Sequence, residues 1–426
     1  MRRLVITALV LAGAIVAWSV WALYAANSFS GRIAAIRAAG DPASIADLAP
    51  EGVPDEQNSA APLLAAAPRV KAFARDHGQF FNTPLGKAYE DAKSRGEPAN
   101  AEQLAAIGTI VQKYSDVDVA VAEAATRDQY ASPLDYSLAY LQFIDQAGKP
   151  PIDIRSIARY FEWQMELAAS EGRPADAVQK GIELLRLARL SRAEPGLISG
   201  LMAHAVYGVA AQATCNALSS GPIPAELHAA LEQELVLGDS LEAAAWMFKS
   251  ERALAIDAIQ AQFGGAQGLF MNTIGRSMKL HHTAALDFFD AILPDAVAPW
   301  YEVAAKSPLS MIYKTSTGLG VMADMLQPPF QVAYESANRA LAVTRSLRVY
   351  NALRQFDAEQ GREAEGLDEL DLPKEATIDP FSGQPLQLKR TDDSWLIYSV
   401  GKDGVDDGGS FDDSKDYGLR PRKRTK

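Results

Sequence analysis

Six aspartates stand within one short loop near the C-terminus: Asp403, Asp406, Asp407, Asp412, Asp413 and Asp416. Gly404, Gly408 and Gly409 are interleaved with them. Calcium takes about six to eight hard oxygen ligands in a flexible geometry, and clustered Asp with Gly supplies both the donors and the bends. An EF-hand is excluded, because counting from Asp403 the third position is Val405 and the twelfth is Ser414, where carboxylates are needed. A calcium β-roll repeat is excluded too, since Gly408-Gly409-Ser410-Phe411-Asp412 lacks the third glycine. The other reading is a solvated acidic loop, neutralised by Arg420, Arg422, Lys423, Arg424 and Lys426 directly after it. Exposed pairs of that kind contribute only about 0–1 kcal/mol each.

Other chemistry is sparse. The five histidines are His77, His204, His228, His281 and His282. Only His281-His282, with Asp287 or Asp290, forms a cluster. Adjacent histidines on a helix point to different sides, which favours a packed pair over a zinc site. There is no His-Glu-x-x-His, Gly-x-Ser-x-Gly or phosphate-binding glycine loop. Gly264-Gly265-Ala266-Gln267-Gly268 reads as a linker, and Glu242, Glu251 and Arg252 as a buried polar group or, more often at this helical spacing, a surface set. The one cysteine, Cys215, lies in the apolar run Ala211–Leu218 and reads as buried and inert.

The elements around these residues are mostly helical. Met1-Arg2-Arg3 precedes twenty uncharged residues, Leu4 to Leu23. Twenty helical residues span roughly 30 Å, the thickness of a bilayer core. Trp18, Trp21 and Tyr24 sit at the far end, where aromatic rings favour the interface. The arginines place the N-terminus in the cytoplasm and the bulk of the chain outside. The run is longer than a signal-peptide core, and Leu23 and Tyr24 fit a small-residue cleavage site poorly, so a single-pass anchor over 1–25 is expected in the cell membrane. Residues 26–68, rich in Ala, Pro, Asp and Ser, read as a partly ordered spacer with at most one helical turn near Asp47.

From 69 to 330 the pattern predicts an α-helical domain. Asn100 is placed to cap a helix running to Thr126. Glu171-Gly172-Arg173-Pro174 joins two helices into an αα-hairpin, with Val178, Gly181, Ile182, Leu185 and Ala188 recurring at helical spacing. Leu167–Ala177 looks like the middle of one tetratricopeptide-type hairpin, without a repeating period. Further helices are expected over Leu197–Leu218, Ala225–Leu235 and Leu241–Phe263. A long helix from Gln331 ends at Gly361, carrying Arg345, Arg348 and Arg354 outside its apolar face. Leu386–Lys389 and Trp395–Val400 read as a β-hairpin.

In order, Ala340–Arg362, Gly366-Leu367-Asp368-Glu369-Leu370, Asp379-Pro380-Phe381-Ser382-Gly383-Gln384-Pro385-Leu386 and Tyr398-Ser399-Val400-Gly401-Lys402-Asp403-Gly404 resemble the globular part of type II secretion major pseudopilins. The resemblance covers about 338–417 and implies a helix-supported strand pair with a calcium-binding loop. It implies metal ligands among Asp403, Asp407, Asp412, Asp413 and Asp416, with backbone carbonyls completing the shell. No prepilin cleavage site precedes Leu4, and about 300 residues separate Leu23 from the long helix, so processing and pilus assembly are not carried over. The whole arrangement is similar to uncharacterised bacterial membrane-anchored proteins with an Ala-rich helical body.

The sequence therefore predicts a mainly α protein: a transmembrane helix, a helical-hairpin array, and a small α+β pseudopilin-like module over 331–426. A net charge of −12 argues against nonspecific nucleic-acid binding. The functional expectation is an extracytoplasmic structural or interaction protein of the cell envelope, secretion-related by the resemblance. Its partners would be the membrane and another protein, and its cofactor calcium. An envelope hydrolase with its site in the aromatic segment 281–301 is the second reading.

Overall fold

The computed structural model describes residues 2–263, 285–306, 321–391, 394–411 and 415–422, with the side chains of 2–5, 8, 11, 15, 18–27 and 321–328 outside that description. It is mainly helical, with a small antiparallel sheet of three strands. Helix α1 (Arg2–Ala38) runs unbroken past the uncharged stretch. Among the described residues no helix is long and apolar enough to cross a membrane. Trp18, Trp21 and Tyr24 have side chains outside the described set.

The stretch 26–68 differs from the expected spacer. Its first part is the end of α1, and α2 (Ala60–Phe81) begins before Pro68. Between them Ala43, Ile45 and Leu48 are buried. They dock on α11 (Glu242–Phe263), where Asp257 accepts the Ile45 N–H at 2.7 Å. Asp41 pairs with Lys249 at 2.8 Å and Arg252 at 2.9 Å. A few apolar side chains, each seated in the body, order a segment whose composition alone suggests disorder.

The capped helix after Asn100 also differs. Asn100 and Gln103 form a reciprocal capping box on α4 (Ala101–Lys113). The helix then breaks at Tyr114 (φ −118°, ψ 27°), and α5 (Ser115–Ala125) begins at the next residue. The buried Tyr114 ring meets Phe73 edge-on at 5.7 Å, and its hydroxyl donates to Asp76 at 2.7 Å. Packing on α2 therefore sets the break, with no Gly or Pro to announce it.

The centre of the body forms as expected. Helices α7 (Ile154–Ser170) and α8 (Pro174–Leu190) pack antiparallel through Gly172, whose φ of +74° suits glycine. Helix α9 (Leu197–Ser220) lies against both, and α10 (Ala225–Gly238) packs on α8. Gly181 lets α8 approach α9 closely, because a Cβ there would fall 2.2 Å from the Thr214 hydroxyl of α9.

The long helix (Val321–Gln360) is already formed at Val321, ten residues before the expected Gln331, and ends at Gly361 (φ +65°). It is not a separate support for the C-terminal module. Leu347, Tyr350 and Leu353 share one buried cluster with Leu184 and Leu218 of the helical body, and with Leu386, Ile397 and Leu419 of the sheet. Two of its arginines, Arg345 and Arg348, are turned into the protein. Arg348, only 6% exposed, reaches Glu232 and Asp239, and Arg345 reaches Asp239 and the Ile378 carbonyl.

Strand β1 (Gln387–Arg390) pairs with β2 (Trp395–Ser399), Leu388 opposite Ile397. The sequence-predicted hairpin is thus present, but β2 also pairs with β3 (Tyr417–Leu419), Ser399 opposite Tyr417. The aspartate loop is the connection between these two strands.

Candidate functional site

The Asp-Pro-Phe-Ser-Gly-Gln-Pro turn anchors the root of the loop. Asp379, 1% exposed, accepts from Phe381 N–H (2.8 Å), the Ser382 hydroxyl (2.7 Å) and Val400 N–H (3.2 Å). One buried carboxylate therefore joins this turn to the end of β2. Phe381 packs between Trp300 (5.6 Å) and Tyr417 (5.2 Å). Gly401 then lets the chain reverse at φ +68°, where a Cβ would stand 2.0 Å from the Lys415 carbonyl oxygen.

Within the loop the aspartates do different things. Asp416 is 1% exposed and braces the loop from inside. Its Oδ2 accepts from Gly409 N–H at 2.8 Å and Ser410 N–H at 3.2 Å, while its Oδ1 is buried without a hydrogen bond of full geometry, the Asp407 N–H lying near enough to the carboxylate to favour its charged form. Burial, reinforced by the charge of Asp406, raises its pKa. Asp406 accepts from the Tyr398 hydroxyl (2.9 Å) and Gly408 N–H (2.8 Å). Asp403 is exposed and accepts from Val405 N–H at 3.1 Å; Asp407 faces Lys415 at 3.6 Å. Asp412 and Asp413 lie outside the described residues. Among the described residues no three His, Cys, Asp or Glu side chains converge as a metal-binding group.

The basic tail divides. Arg420 donates to the Gly409 carbonyl at 3.1 Å and covers the Phe411 ring. Arg422 turns away to Glu166 of α7, which also accepts from the Tyr89 hydroxyl at 2.5 Å. Arg422 and Glu166 line a cleft of about 380 Å³ together with Glu162 and Asn216. Lys423, Arg424 and Lys426 lie outside the described residues.

The histidines that are described serve packing. His77 lies against Trp163 at 4.6 Å, and burial pulls its pKa down to about 4. His204 meets the Ser336 hydroxyl at 3.2 Å and is pulled by burial to about 3. His228 contacts Asn351 at 2.7 Å, and burial lowers its pKa as well. His281 and His282 lie outside the described residues, as does the glycine linker after Phe263. In the described part of the aromatic segment, Phe288, Phe289 and Trp300 are buried in one hydrophobic cluster. Cys215 is fully buried, which raises its pKa.

Of the two readings of Glu251 and Arg252, the buried polar group holds and the surface set does not. Glu251 accepts the Leu197 N–H at 3.0 Å, capping the start of α9, while Arg252 is 4% exposed on Asp41. Their helix is covered on both sides, by α9 and by the segment after α1.

Two adjoining clefts of about 320 and 310 Å³ carry no motif in the sequence. They share Tyr130, Ser132 and Glu194. Burial raises the pKa of Glu194, and the Ser132 hydroxyl is near enough to favour its charged form without reaching hydrogen-bonding geometry. Arg-Ala-Glu-Pro-Gly at 192–196 reads only as a turn, so nothing local marks Glu194 as a wall of a cleft. Comparison of the chain with family models, curated proteins and solved structures finds no match.

Proposed function

We propose that this chain is a membrane-anchored structural or interaction protein of the cell envelope, with its body outside the cytoplasm and its C-terminal loop ordered by calcium. The observation that carries the reading is the continuity of α1. The uncharged run Leu4–Leu23 passes without a break into a segment docked on the body. Ile33 is buried with Ala43, Ile256 and Leu286, and Phe29 and Ile36 pack against them. Arg32 forms ion pairs with Asp287 and, at 2.6 Å, with Asp290. An anchor joined in this way holds the body at a fixed distance from the bilayer instead of on a tether. That arrangement suits a protein that presents a helical surface to a partner near the membrane.

The residues present suit calcium in one respect. Asp416 offers a buried carboxylate oxygen that makes no full hydrogen bond among the described residues, at the inner wall of the loop. Asp403, Asp407, Asp412 and Asp413 would supply the remaining carboxylates, as the pseudopilin resemblance implies. Bound calcium would supply charge neutralisation that ties the loop to the sheet.

Orientation is tested by cysteine labelling. Cys215 is buried and stays silent. In spheroplasts a membrane-impermeant maleimide should label Ala358→Cys, at the exposed end of the long helix, and should label Arg3→Cys only after permeabilisation. Protection of Ala358→Cys until lysis overturns the reading.

A further inference from the structure

The cleft of about 310 Å³ is built around an acid and three aromatic rings. Its walls include Glu194, Tyr130, Tyr136, Trp246 and Asp47, and no Lys, Arg or His. Each wall is fixed from behind. Trp246 donates its indole N–H to the Ala193 carbonyl at 3.0 Å, holding the ring beside Glu194. The Asn58 side chain grips both backbone groups of Ala131, at 3.0 and 2.9 Å, between Tyr130 and Ser132. Tyr136 lies on Phe143 at 5.4 Å. The Glu194 backbone is held by its N–H to Ser191 (3.1 Å), and beyond Pro195 the Gly196 N–H is held by Ser250 (2.8 Å).

Charge decides what such a cleft accepts. Asp47 is already paired with Arg37 at 3.0 Å. Glu194 has no ion-pair partner among the described residues. Both nearby phenols feel its charge, since burial first and Glu194 second raise the pKa of Tyr130 and Tyr136. Aromatic faces attract organic cations, most strongly where water is excluded. A carboxylate and three rings lining one space therefore select a positive, weakly hydrated group. The second cleft continues from Glu194 along Leu134, Ile152, Ile154, Ile198 and Met202, a largely apolar wall whose charged members besides Glu194 are Asp153 and Arg155. Its volume lies at the small end of the range for ligand sites, about 300–1,000 Å³.

We infer that the paired clefts bind a small organic ammonium ion, its cationic head against Glu194, Tyr130, Tyr136 and Trp246 and its apolar substituent in the second cleft toward Ile198. The inference stands independently of the membrane reading. The ammonium group could belong to a free amine or to a choline headgroup, and both share the chemistry that the cleft recognises.

The test uses the full chain in nanodiscs of phosphatidylglycerol, following tryptophan fluorescence. Butyltrimethylammonium should produce a saturable change at millimolar concentration or below. The uncharged analogue with a quaternary carbon in place of nitrogen should bind at least tenfold more weakly. Glu194→Gln, which preserves volume, should weaken the ammonium at least tenfold with an unchanged circular-dichroism spectrum. If that variant does not fold, Tyr136→Leu, on a half-exposed wall, should give a similar loss. In phosphatidylcholine nanodiscs, a need for more butyltrimethylammonium indicates a headgroup source, and an unchanged requirement indicates a free amine; both retain the site. Absence of saturable binding, equal binding of the carbon analogue, or undiminished binding by whichever variant folds overturns the inference.

Discussion

Replacing Asp239 should destabilise the protein more than replacing any exposed acid. Asp239 is 8% exposed and accepts from Arg345 at 2.9 Å and Arg348 at 2.5 Å. Both arginines belong to the long helix, so this carboxylate joins the end of α10 to the element that carries the sheet. Removing one partner of a buried ion pair costs about 3–5 kcal/mol, because a desolvated charge is left behind. Here the loss is partly cushioned. Arg348 keeps Glu232 at 2.6 Å, and Arg345 keeps the Ile378 carbonyl at 2.7 Å. We therefore expect Asp239→Ala to cost about 3 kcal/mol, at the low end of that range. Glu232→Ala should cost about 1 kcal/mol, since that carboxylate is 28% exposed and Arg348 retains Asp239. Urea unfolding of the full chain in a mild detergent, followed by circular dichroism, measures both. Amide exchange in 376–386 should also quicken in Asp239→Ala, because Arg345 loses its fixed position under Ile378. Equal costs for the two variants, or a loss below about 1 kcal/mol for Asp239→Ala, would refute the reasoning that burial of the pair sets its weight.

Three further outcomes are expected. Burial holds the His204 pKa near 3, well below the ordinary 6.5, so the unfolded chain takes a proton that the folded chain refuses. Stability is unaffected above pH 6.5 and falls as the pH drops below it, by about 3 kcal/mol near pH 4.5. His204→Gln should flatten that part of the profile in pH-dependent urea unfolding, and an unchanged slope would contradict it. Calcium at millimolar concentration should raise the melting temperature of the full chain in detergent and a chelator should reverse the rise. Asp416→Asn should abolish the effect; no shift in the parent protein would remove calcium from the account. Gly401→Ala should cost about 2–4 kcal/mol, from a left-handed φ and a Cβ 2.0 Å from the Lys415 oxygen. Thermal unfolding checks this, and a cost below about 1 kcal/mol would show that the loop shifts freely.

What could be read from the sequence was local and periodic. The α7–α8 hairpin follows from apolar spacing on both sides of Gly172, and the β1–β2 hairpin from alternation on both sides of a polar turn. Gly361 ends the long helix because only its backbone makes the left-handed turn cheaply. What could not be read depends on partners distant in the chain. Tyr114 breaks a helix because of Phe73 and Asp76. Ala43, Ile45 and Leu48 are ordered because α11 receives them. Arg348 reads as solvent-facing on its own helix and is buried by α10. Strand β3 is three residues long and contains a glycine, too little for any pattern to show. The aspartate loop was visible as composition, but the roles of its members were not. Asp416 braces the interior, Asp406 holds Tyr398, and Asp403 stays outside. Glu194 had no signal, since its meaning comes from Tyr130, Tyr136 and Trp246 gathered around it.

The central claim is that α1 is both a membrane anchor and a docked part of the body. Carbonate extraction of membranes from cells making the full chain tests it most directly, beside a chain lacking residues 4–23. The full chain should remain in the membrane pellet at intact length, and the deleted chain should appear folded in the soluble fraction. Release of the full chain by carbonate, or its accumulation as a shortened soluble form, would contradict the claim.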